Sequence, residues 1–280
     1  MTQTITGPWR APRNTSAHEA GGIHDDHTAQ ALGFAGGTIA GSIHMEQFTP
    51  LLLEHFGDRW WREGGLSMYF KAATVDDEPV RCLLEPERDN RVRLRMETRD
   101  GAIVMDGSGS LGADPESEIQ QRLKAVRDPV DLRMLEDVVI GWQCTPHPVR
   151  VDESAIDDRL RVITEDLPAY SDPDLFDGRV LPIAPLVHAF RVIEPAICPI
   201  RGAYVGLFGA IEIQYLAGPV VAGRDYLATG QILKLSESPK TEIVWYEATL
   251  TEVASGVEAA RMIKMDRLMK EASPLWEAFA

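Results

Sequence analysis

A chain of 280 residues that is 44% apolar and 25% charged can bury the core of one large or two ordinary domains. Its 28 basic residues against 43 acidic ones leave a net charge of −15, which excludes the clustered Lys and Arg that nucleic acid or an anionic membrane rewards. Cys82, Cys144 and Cys198 form no CxxC pair and no run reaches about 18 apolar residues, so neither a disulfide framework, a zinc site built from cysteine nor a membrane span is expected.

Residues 1–17 are polar and irregular, with room for one short strand and no apolar stretch of signal-peptide length. A cytoplasmic protein is therefore expected. Ala29 to Leu32 predict a brief helix behind His24-Asp25-Asp26, where acids suit a helix N-terminus. Gly33, Gly36, Gly37 and Gly41 then break the pattern. From Ser42, a plausible N-cap, the apolar residues Ile43, Met45, Phe48, Leu51, Leu52 and Phe56 predict a buried helix ending at Gly57, with Pro50 set to kink or end its first turns.

After Gly64-Gly65 the period changes to two. Val92, Leu94 and Met96 alternate with arginines, which predicts a strand with one wet face. Further strands are predicted around Leu66–Phe70, Val80–Leu84 and Ile103–Met105, with hairpin turns at Asp89-Asn90 and Asp100-Gly101. Residues 112–137 read as a charged linker.

The order of elements then repeats. Val149 to Val151 suggest an opening strand, Asp152 to Arg161 a short helix, and Leu181 to Ile197 a second central helix whose regular part Pro182, Pro185 and Pro195 confine to the middle. Four strand-like runs follow: Ala203–Tyr215, Asp225–Leu235, Glu242–Thr251 and Val257–Met265. Two halves with one order imply a duplicated fold. The expected class is α+β: a double hotdog, each half an antiparallel sheet wrapped around a central helix. The domains would be 1–125 and 126–280, joined by continuing one sheet into the other, which removes two exposed edges.

Chemistry concentrates in Glu19-Ala20-Gly21-Gly22-Ile23-His24-Asp25-Asp26. A carboxylate and a histidine held close in an apolar setting can share acid–base work on one water. Burial raises the carboxylate pKa and the carboxylate raises that of the histidine, which poises both near neutrality. The bland alternative is a loop in which His24-Asp25-Asp26 only caps a helix. The seven histidines show no HExxH and no close Cys/His set, and no P-loop or GxGxxG follows a strand, so no metal and no cofactor is expected.

This segment resembles the active-site run of the MaoC-like, (R)-specific enoyl-CoA hydratases: Asp-x-Asn-Pro-Ile/Leu-His, an acidic step, Gly-Phe, and an apolar-x-Gly entry to the central helix. His24 matches the histidine, Ile23 its predecessor, Asp25 and Asp26 the acidic step, and Gly33-Phe34 and Ile39-Ala40-Gly41 the later parts. Glu19 stands where the family has its Asp, and Gly21-Gly22 replace Asn-Pro. The resemblance implies that Glu19 and His24 form the acid–base pair and that the Gly41 N–H holds the thioester oxygen, with Asp25 and Phe34 by the substrate. From their positions His44, one turn into the helix, could face the same pocket and Ser42 could donate to a carbonyl, with core packing the plainer reading of each. It implies a hydro-lyase acting on an α,β-unsaturated or β-hydroxy acyl substrate, a small molecule or acyl thioester, in a homodimer. The C-terminal half, with His188 but no acid–histidine loop, is expected to be non-catalytic and to shape the pocket. Two other readings share the fold: a cyclase or lyase of secondary metabolism on a non-CoA substrate, and a non-catalytic acyl-binding protein. A thioesterase is compatible on fold grounds alone.

Overall fold

The computed structural model describes residues 3–18, 21–88 and 90–279. The first half runs β1 (Ile5–Thr6), α1 (Asp26–Ala31), α2 (Gly41–Glu46), α3 (Thr49–Phe56), α4 (Trp60–Glu63), β2 (Gly64–Phe70), β3 (Val80–Arg88), β4 (Arg91–Thr98) and β5 (Ile103–Leu111). After α5 (Glu118–Lys124) come β6 (His147–Arg150), α6 (Glu153–Leu160), α7 (Pro168–Ser171), α8 (Ile183–Arg191) and α9 (Glu194–Ile197). Four long strands close the chain: β7 (Gly206–Tyr215), β8 (Asp225–Glu237), β9 (Thr241–Glu252) and β10 (Glu258–Met269).

All ten strands form one antiparallel sheet in the order β1-β3-β4-β5-β2-β7-β10-β9-β8-β6. The seam between halves is β2 against β7, with Gly65 opposite Gln214 and Tyr69 opposite Ala210. Its outer strands β1 and β6 span only two and four residues, which limits the unpaired edge. In β4 the alternation read from sequence holds: Val92, Leu94 and Met96 are wholly buried. Asp89 of the predicted hairpin lies outside the described residues, and residues 112–137 contain α5 rather than linker alone.

The continuous helix predicted from Ser42 is two helices. Pro50 takes the first turn of α3, where its missing N–H breaks no bond, so α2 ends at Glu46 and a new helix starts at Thr49. The N-cap of α2 is Ala40, not Ser42. Phe48, Leu51 and Leu52 share one core with Val92, Leu94 and Met96, while Leu186, Val187 and Phe190 join it from α8. Helix α3 approaches β5 so closely that a Cβ on Gly109 would lie 2.4 Å from Leu52 Cδ2.

The duplication is visible in backbone hydrogen bonds. Thr38 N–H donates to Ile23 O and Ile39 N–H to Thr74 O, with Thr38 bridged to Val75. In the second half Val180 N–H donates to Ala169 O and Leu181 N–H to Val220 O, with Val180 bridged to Val221. Ile23 thus corresponds to Ala169, His24 to Tyr170, and Gly41 to Ile183. Among the described residues no helix is long and apolar enough to cross a membrane.

Candidate active site

His24 sits in the loop before α1, and three contacts fix it. Its Nδ1 lies 2.8 Å from the Thr38 carbonyl oxygen. A carbonyl only accepts, so Nδ1 carries the proton and Nε2 is the basic nitrogen of the neutral ring. Asn14 Nδ2 donates to the His24 carbonyl at 2.8 Å, which ties the loop to the N-terminal segment. The Gly37–Thr38 segment runs so close beside it that a Cβ on Gly37 would stand 2.2 Å from His24 O. Only glycine allows that approach.

His24 opens onto a cavity of about 160 Å³ that Phe34, Gly41, His44, Phe70 and Phe208 also line. Gly41 is the first residue of α2, and a Cβ there would meet the Phe70 ring at 2.5 Å. His44, one turn on, lies on the same helix face. It is 3% exposed, and burial pushes its imidazole down to about 3. The Gln47 amide nitrogen, a donor, stands 3.3 Å from His44 Nδ1, so the proton is on Nε2 and points at Thr74 Oγ1, 2.7 Å away. His44 is therefore a neutral group that cannot deliver a proton as imidazolium. Nitrogen-15 NMR is expected to show it neutral with Nε2 protonated from about pH 5 to 8, the range in which an ordinary histidine titrates; an imidazolium signal there would contradict this arrangement.

The sequence-predicted residues divide. His24, Phe34, Gly41 and His44 are brought together at one cavity. Ser42 is turned to the opposite side of α2 and lines a separate cavity of about 640 Å³ with Arg159, Ala184 and His188. Asp25 caps α1: its carboxylate accepts from the Thr28 hydroxyl and from the N–H groups of Gly21, His27 and Thr28, at 3.0 to 3.2 Å for the N–H groups. The Thr28 hydroxyl first, and the backbone donors after it, hold this carboxyl below the usual range. Glu19 lies outside the described residues. Sequence reading missed Asn14, Thr38, Phe70 and Arg267. Thr38 acts through its backbone carbonyl, Asn14 through a side-chain bond to the His24 carbonyl, and Arg267 comes from β10 of the other half.

A larger cleft of about 1160 Å³ adjoins the cavity, sharing Phe34, Leu207 and Arg267 as walls. Lys240, Lys270 and Trp276 line it further out. Its charged lining is Arg267, Lys240 and Lys270 with Glu271, and Lys270 is paired to Glu237 at 2.7 Å. At the corresponding place in the second half, Tyr170 replaces His24 and is wholly buried. Its ring lies 6.1 Å from that of Trp61, which also meets Tyr215 at 6.1 Å. Aromatic rings fill that position. Among the described residues no group of three or more His, Cys, Asp or Glu is placed to hold a metal.

No protein-family model matches the sequence, and no curated protein does either. Solved structures do match. A chain described as a MaoC domain protein dehydratase, from Chloroflexus aurantiacus, superposes with a TM-score of 0.64 at 13% identity, covering 96% of this chain and 95% of that one. A Mycobacterium tuberculosis protein with a double hotdog fold gives 0.65 at 11% identity, covering 95% and 96%. A MaoC-like dehydratase gives 0.58 at 13% identity, covering 95% and 98%. At these identities the likeness establishes the fold, a double hotdog.

Proposed function

We propose that the chain is a hydro-lyase of the MaoC-like kind, adding water to an α,β-unsaturated acyl thioester or removing it from the β-hydroxy form. The observation that carries this reading is His24, anchored through Nδ1 to a carbonyl and lining a small cavity beside the first N–H of α2. In the hydration direction His24 Nε2 takes a proton from water as the water oxygen bonds to Cβ. The carbon–carbon double bond shifts its electrons toward the thioester oxygen, which the Gly41 N–H receives. First-turn N–H groups have no partner within a helix, and the helix dipole favours the developing negative charge. Cα is then protonated. Glu19 is assigned that proton on its spacing from His24. His44, hydrogen-bonded to Thr74, adds a polar but neutral group to the cavity wall. The second half, with Tyr170 in place of His24, is read as non-catalytic.

The expected result with crotonyl-CoA or another short enoyl thioester is loss of the enoyl absorbance on adding the wild-type protein. Absence of any change across short, medium and long enoyl chains would sink the reading.

A further inference from the structure

Arg267 is placed unlike the other β-sheet arginines of this acidic chain. Arg91, Arg81 and Arg261 face Asp114, Glu97 and Glu247. Among the described residues Arg267 forms no ion pair: its Nη2 donates to the Tyr69 hydroxyl, its Cζ lies 5.2 Å from the Tyr69 ring centroid, and its Nε is buried without a partner. A half-buried guanidinium with an unmatched charge and an unmatched donor is costly unless something anionic meets it. Its stem fits because β7 has glycine beneath it: a Cβ on Gly209 would stand 3.0 Å from Arg267 Nε and 3.2 Å from its Cγ.

The position of Arg267 says what that anion is. Beyond Tyr69 and Ala210 strands β2 and β7 part, and the cavity lies at that opening. Arg267 lines both the cavity and the outer cleft, so it stands at the neck between them. The inner space of about 160 Å³ is small beside the cleft of about 1160 Å³ outside it, which suits a short acyl group. Arg267 and His24 line the same small cavity, whereas the phosphates of a carrier lie a whole pantetheine arm from its thioester. Lys71, the other cation on the cavity wall, is already matched by Asp106.

We infer that Arg267 binds a carboxylate carried by the acyl group itself, so that the preferred substrate is a short dicarboxylic monothioester. The planar fork of the guanidinium suits a carboxylate, and the Tyr69 hydroxyl fixes its orientation. Arg267 is then a specificity-determining residue that the second half lends to the site of the first. This rests on reading the cavity as the acyl site, but its test does not require turnover.

Binding is measured by calorimetry in a His24→Ala background with three probes: the fumaric acid monothioester of CoA, crotonyl-CoA, and CoA alone. The fumaric thioester is expected to bind at least tenfold more tightly than crotonyl-CoA. Arg267→Gln should abolish that ratio while leaving CoA affinity unchanged, and Arg267→Lys, which keeps the charge, should retain part of it. Equal affinity for the two thioesters, or a preference that survives Arg267→Gln, overturns the inference. So does weakened binding of CoA alone by Arg267→Gln, which would put carrier phosphates at the neck. If the wild type hydrates neither thioester while the preference persists, the hydro-lyase reading fails and this one stands.

Discussion

Replacing His24 with Ala is expected to lower turnover of an enoyl thioester by a factor on the order of 10² to 10⁴, the range a positioned general base contributes. KM should move little, because His24 handles the attacking water and makes no contact with the carrier in the proposed mechanism. The effect depends on orientation as much as on presence. Thr38 O fixes the tautomer at 2.8 Å, and Asn14 holds the His24 backbone at 2.8 Å. Asn14→Ala should therefore reduce kcat by a smaller factor while the fold remains. A His24→Ala enzyme with unchanged kcat would remove the imidazole from the mechanism altogether. Because the ring of Tyr170 fills the corresponding position in the second half, no second site is expected to sustain turnover in its place.

The largest expected effect on stability comes from Glu46, on the last turn of α2 and wholly buried. One carboxylate oxygen accepts from Arg159 Nε at 2.9 Å and from Nη2 at 2.5 Å; the other accepts from the Ala184 N–H at the start of α8 at 2.8 Å. A single side chain thus joins α2, α6 and α8. Glu46→Ala leaves a guanidinium that is 8% exposed without its hydrogen-bonded carboxylate, with only the neighbouring buried Glu165 to face it, and an N–H without an acceptor. Breaking a buried pair by removing one partner costs about 3–5 kcal/mol, well above the typical surface substitution. Urea denaturation should show that loss as a lower midpoint. Replacing both partners with apolar residues of similar volume should recover much of it, since the pair's net contribution is small beside the cost of orphaning one member. A stability loss under about 0.5 kcal/mol for Glu46→Ala, the scale of an ordinary surface change, would show that this buried bridge is not formed.

What the sequence revealed and what it hid follow from range. β4 could be read directly because its alternation is local and one face is wet, and the strands of the second half were located within a few residues. The duplication was legible as an order of elements, while the residue correspondences needed the hydrogen bonds of Thr38 and Val180. The break between α2 and α3 lay in Pro50, but a helix apolar on most sides gives no phase from which to tell one helix from two. His24, Phe34 and Gly41, which line one cavity with His44, were singled out by the resemblance of one segment, and His44 by its place one turn into the helix. Asp25 and Ser42 share that segment, yet one caps a helix and the other points away from the cavity, distinctions that depend on side-chain direction. Arg267 carried no signal at all, because β10 reaches the cavity only through the pairing of β7 with β2 and β10.

The most direct test of the central claim follows the oxygen atom. A short β-hydroxyacyl thioester is incubated with the protein in ¹⁸O-water, and the position of label is read by mass spectrometry. Reversible loss and re-addition of water at Cβ should place ¹⁸O in the β-hydroxyl of the intact thioester, and His24→Ala should abolish it. Label found only in the carboxylate of released acid would mean that the cavity hydrolyses thioesters, and the hydro-lyase account would be wrong.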